Sequence, residues 1–369
     1  MNRISTVEAA GAWATLIWSD GLTQPLYAPW LRDNAQDPET VHPGNGQRLI
    51  DISDLPADPA FRTADVAEDG SLAVTFAPDG HACRYAPDWL RRFAEPAPDP
   101  YAARLWRDGF TVSAFDYADI TADPAVERDW LAALARDGIA LVKGSPVEPA
   151  TVCAIAETFG FVRVTNYGAL FDVISVENPT NMAFTSAGLM VHTDNPYRDP
   201  VPGLQLLHCL ENDTEGGGSL FVDGFQAAER LRREDPEAFR ILATTWLPFR
   251  FRDASVDLQA RAPLITTDDR DRVVTIRYNN RSIAPADIPA PDLPGFYSAY
   301  RKFSSFLRHP EVEATLRLEP GDCVIFDNMR VLHGRKTFTP GRRWLQGCYA
   351  DKDAVFGRLR LGNPDTGCS

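Results

Sequence analysis

Met190-Val191-His192-Thr193-Asp194-Asn195-Pro196-Tyr197 is the stretch on which the reading of this chain turns. It places an imidazole, His192, two residues from a carboxylate, Asp194, in a region with some β leaning. On a strand, residues i and i+2 share a face, so an extended backbone here would let both side chains grip one metal ion. A third ligand must come from far away, and the chain has only six histidines: His42, His81, His192, His208, His309 and His333. His333 stands out, in Val331-Leu332-His333-Gly334-Arg335-Lys336, just after the apolar run Cys323-Val324-Ile325-Phe326. Two imidazoles and one carboxylate form the facial set that suits Fe(II) and leaves positions open for oxygen chemistry. An H-x-D triplet recurs by chance, and His333 alone is no stronger.

Weight comes from the residues beyond His333. Ten positions on lies Arg343, in Gly341-Arg342-Arg343-Trp344-Leu345-Gln346. A guanidinium offers a carboxylate a bidentate fork, which the far end of a dicarboxylate such as 2-oxoglutarate requires. Without the triad, Arg343 reads as an ordinary surface arginine. Several further strings complete a pattern: Leu31-Arg32-Asp33-Asn34, Pro202-Gly203-Leu204-Gln205-Leu206-Leu207-His208-Cys209, Val222-Asp223-Gly224-Phe225, Phe326-Asp327-Asn328 and Leu332-His333-Gly334-Arg335. With His192-Thr193-Asp194, the chain resembles the Fe(II)/2-oxoglutarate dioxygenases of the taurine and γ-butyrobetaine hydroxylase type over nearly its whole length. The resemblance implies that His192, Asp194 and His333 hold Fe(II), that Arg343 binds the distal carboxylate of 2-oxoglutarate, and that O2 is the oxidant. It also implies that Ser219, after Gly216-Gly217-Gly218, helps to hold 2-oxoglutarate.

Composition bounds the remaining classes. The chain has 369 residues, 44% of them hydrophobic, enough for a large core and for two domains. Its net charge is −14, from 51 acidic and 37 basic residues, and a nucleic-acid binder needs a basic footprint that is not evident. The N-terminus carries no signal-peptide pattern and no run approaches a membrane span. Cys83, Cys153, Cys209, Cys323, Cys348 and Cys368 are scattered without a C-x-x-C pair, as expected of free thiols in the cytoplasm.

Along the chain, residues 7–32 read as short strands and turns, including Leu26 to Leu31. Ala86 to Phe93 reads as a short helix with proline near its start. The proline-rich joint Glu95-Pro96-Ala97-Pro98-Asp99-Pro100 marks a boundary between a small α+β domain, 1–95, and a catalytic domain, 101–369. In the second domain, Val126 to Arg136 has helical spacing, Ile139 to Val142 is a buried strand, and Pro149 to Phe159 is a second helix. Strands dominate after residue 160, with helices at Gly224 to Glu234 and Gly295 to Arg308. Periodicity alone gives α plus β. The resemblance implies a mainly β double-stranded β-helix (jelly-roll) with flanking helices. It also implies a zinc in the N-terminal domain on three cysteines and a histidine; His81 is present but the cysteines are not, so no zinc is expected. A homodimer is expected, and the apolar residues from Phe296 to Phe306 serve either an interface or the core.

Tyr167, Phe171, Phe184, Tyr197 and Tyr349 lie in segments expected to converge on the barrel mouth, and aromatic faces attract cations. Taken by spacing alone, such aromatics are usually core. By resemblance, Tyr167, Phe171, Phe184 and Tyr349 match positions that bind a trimethylammonium group, with Phe171 where tryptophan is usual and Phe184 where tyrosine is usual. Asn195 departs more: an amide comes after the aspartate where an aromatic is usual. It either caps the turn before Pro196 or offers donors to an anionic group. Asn181 and Asn280 match other polar positions near the substrate. The substrate classes implied are γ-butyrobetaine, 2-(trimethylammonio)ethylphosphonate and, less well, trimethyllysine. A non-catalytic betaine binder and a taurine-type sulfonate enzyme are the rivals; the intact triad argues against the first, the aromatic set and N-terminal domain against the second.

Overall fold

The computed structural model describes residues 3–95, 99–174, 188–337 and 341–361. The chain divides into two compact units, one ending at Pro100 and one beginning at Tyr101. No described helix is long and apolar enough to cross a membrane.

The N-terminal unit holds two antiparallel three-stranded sheets, Ile4–Ala10, Trp13–Trp18 and Thr23–Tyr27, then Ala60–Val66, Leu72–Ala77 and Ala82–Tyr85. Alternation of buried and exposed residues along Trp13–Trp18 and Leu72–Ala77 puts Leu16, Trp18, Leu72, Val74 and Phe76 into one core. Leu26 to Leu31 is not one extended piece: Ala28–Asp33 is a helix, because Pro29 sits at its first turn, where a missing N–H costs nothing. The residues around His81 form a polar network. His81 Nε2 lies 2.8 Å from Asp37 Oδ2, and Arg32 Nε lies 2.8 Å from Asp79 Oδ2.

The second unit is built on two facing sheets. The larger runs Ala114–Asp116, Ile139–Lys143, Cys323–Asp327, Leu204–Asn212, Arg343–Ala350, Phe171–Ile174; the smaller runs Leu189–His192, Val331–Arg335, Ser219–Asp223, Glu313–Leu316. Leu207, Cys209, Val324, Phe326 and Leu345 of the first meet Phe221, Ala314 and Val331 of the second. Helices cover the outside. Pro124–Asp137 starts on the Asp123 side chain, which accepts from Ala125 N at 2.8 Å, and stops at Gly138, whose φ of 74° suits glycine. Its Trp130, Leu131 and Leu134 cover Ala140 and Val142. The helix Leu293–Phe306 turns Phe296, Ala299, Phe303 and Phe306 into its own unit's core, with Leu231, Leu242 and Phe249, so this apolar stripe is core rather than interface.

One ladder fixes the site. In the smaller sheet His192 pairs directly with His333, and Leu189 with Arg335, so three steps on one strand match two on the other. That bulge needs a close backbone approach at Gly334: a Cβ there would lie 2.5 Å from Leu189 O and 3.1 Å from Val191 N. Both are main-chain atoms held in a ladder and cannot swing aside. Gly334→Ala is therefore expected to cost about 1–3 kcal/mol in urea denaturation, the usual range for overpacking. Wild-type stability would contradict this reading of the bulge.

Candidate metal centre and substrate cavity

The ligand atoms of His192, Asp194 and His333 all lie within 4.8 Å of one another, and this is the only such cluster of three His, Cys, Asp or Glu residues among those described. His192 Nε2 is 3.3 Å from Asp194 Oδ1, and His333 Nε2 is 3.9 Å from Asp194 Oδ2. With metal–ligand bonds of about 2 Å, cis donors sit roughly 3 Å apart, so the set fits a single ion after small adjustments. The chemistry of the donors agrees. His192 Nδ1 lies 2.9 Å from Met190 O, which fixes the proton on Nδ1 and leaves the Nε2 lone pair facing Asp194. Burial, with the His192 ring beside it, pushes His333 down to about 3, so its imidazole is neutral. Burial works to raise the Asp194 carboxyl, but the positive charge of His333 and His192 once protonated and the Tyr349 hydroxyl outweigh it and hold it below the usual range.

Asp194 does not reach this position by strand alternation. The strand ends at His192, and Asp194 lies in a turn beyond it. Thr193 N donates to Tyr278 O at 2.8 Å, Tyr278 N donates to Thr193 Oγ1 at 3.0 Å, and Asn279 Nδ2 donates to Thr193 O at 3.1 Å. Asn328 then grips Asp194 from both sides: its Oδ1 accepts Asp194 N at 2.7 Å and its Nδ2 donates to Asp194 O at 3.0 Å. Asn195 closes the turn with φ 53°, a left-handed conformation that asparagine tolerates.

A cavity of about 750 Å³ opens beside the cluster, a usual size for a small-molecule site. At one end Ser219, Arg335 and Arg343 line it, with Ser219 opposite Arg335 on neighbouring strands. Burial, with the Arg335 guanidinium beside it, brings Arg343 down to about 10, so it stays cationic at neutral pH. Elsewhere the wall is aromatic. Phe171 lies 5.1 Å from Tyr349 and 6.4 Å from Tyr167, and Phe251 lies 6.0 Å from Tyr167 and 5.2 Å from Tyr197, between ring centroids. Tyr349 belongs to both regions, since its hydroxyl donates to Asp194 Oδ2 at 2.8 Å.

The structure thus brings Tyr167, Phe171, Asn195, Tyr197, Ser219, Arg343 and Tyr349 to the cavity with the triad. Asn181 and Phe184 lie outside the described residues. Asn280 is exposed and does not line the cavity; its neighbour Asn279 does, because the turn after Tyr278 points Asn279 inward, where it is tied to Thr193. Asn195 does two things at once. Its Oδ1 accepts from Tyr197 at 2.7 Å, while its buried Nδ2 has no hydrogen-bond partner among the described residues. Sequence reasoning missed Gln205, Phe251, Asn279, Arg281 and Ser282. Phe251 reaches the cavity because Arg250 N donates to Ser282 O at 2.8 Å, laying the strand Leu247–Arg252 along that segment, a pairing with no local sequence signal.

Comparison with known proteins agrees with this geometry. The family described as "Taurine catabolism dioxygenase TauD, TfdA family" matches residues 99–349. The gamma-butyrobetaine dioxygenase of Pseudomonas sp. (strain AK-1) is 38% identical over 96% of this chain and 96% of its own. The gamma-butyrobetaine dioxygenase of Homo sapiens is 30% identical, covering 94% of this chain and 93% of its own. The trimethyllysine dioxygenase of Meyerozyma guilliermondii is 28% identical over 98% of this chain and 96% of its own. Among solved structures, a taurine dioxygenase from Burkholderia xenovorans shares the fold at a TM-score of 0.51 and 15% identity, covering 66% of this chain and 89% of its own.

Asn328 makes a test of how the carboxylate is held. Asn328→Asp keeps the shape but loses the donor to Asp194 O, and is expected to weaken Fe(II) binding about 10–100-fold, as second-sphere changes do. Anaerobic calorimetry measures this; unchanged affinity would show that the Asp194 turn holds itself.

Proposed function

The chain belongs to the TauD, TfdA family and is an Fe(II)- and 2-oxoglutarate-dependent dioxygenase, and from that premise we propose that it hydroxylates a small trimethylammonium zwitterion. The observation that carries the reading is the aromatic wall of Tyr167, Phe171, Tyr197, Phe251 and Tyr349 immediately beside the metal cluster. A quaternary ammonium has no proton to donate, so aromatic faces are the groups that recognise it.

His192, Asp194 and His333 would hold Fe(II), and Arg343 with Ser219 would anchor the distal carboxylate of 2-oxoglutarate. The metal, once bound, would supply the chemistry of O2 activation: one oxygen atom of O2 enters succinate as 2-oxoglutarate loses CO2, and the other enters the hydroxylated C–H bond. The protein's part is placement. The aromatic wall takes the cationic pole. Asn195 Nδ2, Arg281 and Ser282, all lining the cavity, supply donors for the anionic pole. Fixing both poles brings one carbon to the metal and keeps competing bonds away. The five free cysteines among the described residues, four of them buried, support work in a reducing compartment, the cytoplasm.

Two anionic poles have support. A guanidinium and an amide N–H together suit the three oxygens of a phosphonate, which favours 2-(trimethylammonio)ethylphosphonate. The 38% identity to a gamma-butyrobetaine dioxygenase favours the carboxylate of γ-butyrobetaine. Succinate release with each compound in turn, under the same Fe(II) and 2-oxoglutarate, decides between them. Turnover of the phosphonate alone supports the donor argument, turnover of γ-butyrobetaine alone removes it, and turnover of neither, nor of trimethyllysine, removes the proposed substrate class. Arg281→Gln is expected to raise the KM for the zwitterion at least about tenfold, the value of one charged hydrogen bond, and to leave the KM for 2-oxoglutarate within about twofold.

A further inference from the structure

We propose that Gly347 sets the size of the ammonium head group that the cavity accepts, a refinement that rests on the trimethylammonium reading above. Gly347 lies in the strand Arg343–Ala350, paired with Phe171 on one side and Leu207 on the other. A Cβ built on it would lie 2.4 Å from Cζ and 2.5 Å from Cε2 of Phe171, and 3.0 Å from Cδ2 of Leu207. The far edge of the Phe171 ring therefore fills the space in which any other residue would carry its side chain. Phe171 lines the cavity, and its neighbours there are the rings of Tyr349, which is buried, and Tyr167. With glycine at 347 the ring is drawn back against the sheet, and the width it vacates belongs to the ligand.

Three features make this a matter of specificity rather than of folding. The atoms that a new Cβ would meet are the ends of flexible side chains, not main chain, in contrast to Gly334. The backbone at Gly347 is outside the left-handed region, so alanine is not strained there. Gly347 is itself absent from the cavity lining and touches the ligand only through Phe171. It is a positioning residue. A methyl group at 347 displaces the ring, and the open direction is the cavity. Within a series of methylated ammonium groups, the trimethyl member fills the most space and is the first to be excluded.

The test compares a trimethylammonium zwitterion with its dimethylamino analogue, by succinate release and by calorimetric binding, in wild type, Gly347→Ala and Gly347→Ala/Phe171→Leu. Gly347→Ala is expected to lose at least about tenfold in kcat/KM on the trimethyl compound, the scale of one methyl in a tight pocket, and to lose less than about threefold on the dimethyl compound. The KM for 2-oxoglutarate should stay unchanged, and trimming Phe171 should restore part of the loss. Equal losses on both compounds, no loss on either, or no rescue by the double variant would overturn the proposal. Should Gly347→Ala not fold, Phe171→Ala asks the same question from the other side. It must admit a triethylammonium head that wild type rejects, and failure to do so overturns the proposal equally. Wild type that neither binds nor turns over the trimethyl compound refutes the function reading itself, and this inference with it. Wild type that does so while Gly347→Ala shows no size preference refutes only the inference.

Discussion

The site depends on a single register: His192 opposite His333 across two antiparallel strands. Directly opposed residues on such a ladder have Cβ atoms about 4.5–5.5 Å apart, so two imidazoles converge without help from any loop. Their rings here are 4.4 Å apart between centroids. The bulge beside this pair rotates the strand end, and Gly334 permits the close main-chain approach that the bulge requires. Only then does the turn at Thr193 and Asp194 begin where Tyr278, Asn279 and Asn328 can bind its main chain. The metal carboxylate is thus a consequence of the histidine pairing, held by amides from two other segments.

The facing sheets then sort the chemistry along the cavity. On the smaller sheet, residues alternating with outward-facing neighbours give His333 and Arg335, with Phe221 and Ser219 opposite them. The larger sheet contributes Gln205 and Leu207 from one strand and Leu345 and Tyr349 from the next. Period-two alternation on strands whose order the sheets fix places the basic residues, His333 and Tyr349, whereas Asp194, Tyr167 and Tyr197 come from turns beyond the strands. Tyr349 links two of these regions, because one side chain both faces Phe171 and donates to Asp194. A ligand that displaces that ring also acts on the metal carboxylate.

Much of this was legible in the sequence, for physical reasons. His192, Asp194 and His333 were readable because few histidines compete and their donor set has one obvious use. The helix at Gly224–Glu234 was readable because Asp223 caps it, accepting from Phe225 N at 3.0 Å, and Phe225, Ala228 and Leu231 form its buried face. What was not legible depended on backbone geometry beyond local pattern. Two-residue spacing suggested a strand through Asp194, but the strand stops at His192 and a left-handed Asn195 finishes the turn. The resemblance pointed to Asn280, whereas Asn279 lines the cavity, and a turn, unlike a strand, gives no alternation by which to tell them apart. Phe251 lies in the strand Leu247–Arg252, yet only pairing with residues around Ser282 aims it at the cavity. The apolar stripe from Phe296 to Phe306 fits an interface or a core equally well by spacing, and the packing of Leu231 and Leu242 against it makes it core.

The central claim is that one histidine register creates a metal site whose aromatic neighbour is the substrate pocket. The most direct measurement is the anaerobic absorption spectrum of the protein with Fe(II) and 2-oxoglutarate, before and after adding a trimethylammonium zwitterion. The account predicts a metal-to-ligand charge-transfer band that saturates at one iron per chain, shifts when the zwitterion is added, and vanishes in His333→Ala. A band that forms in His333→Ala as in wild type, or one that ignores the zwitterion at saturating concentration, would contradict it.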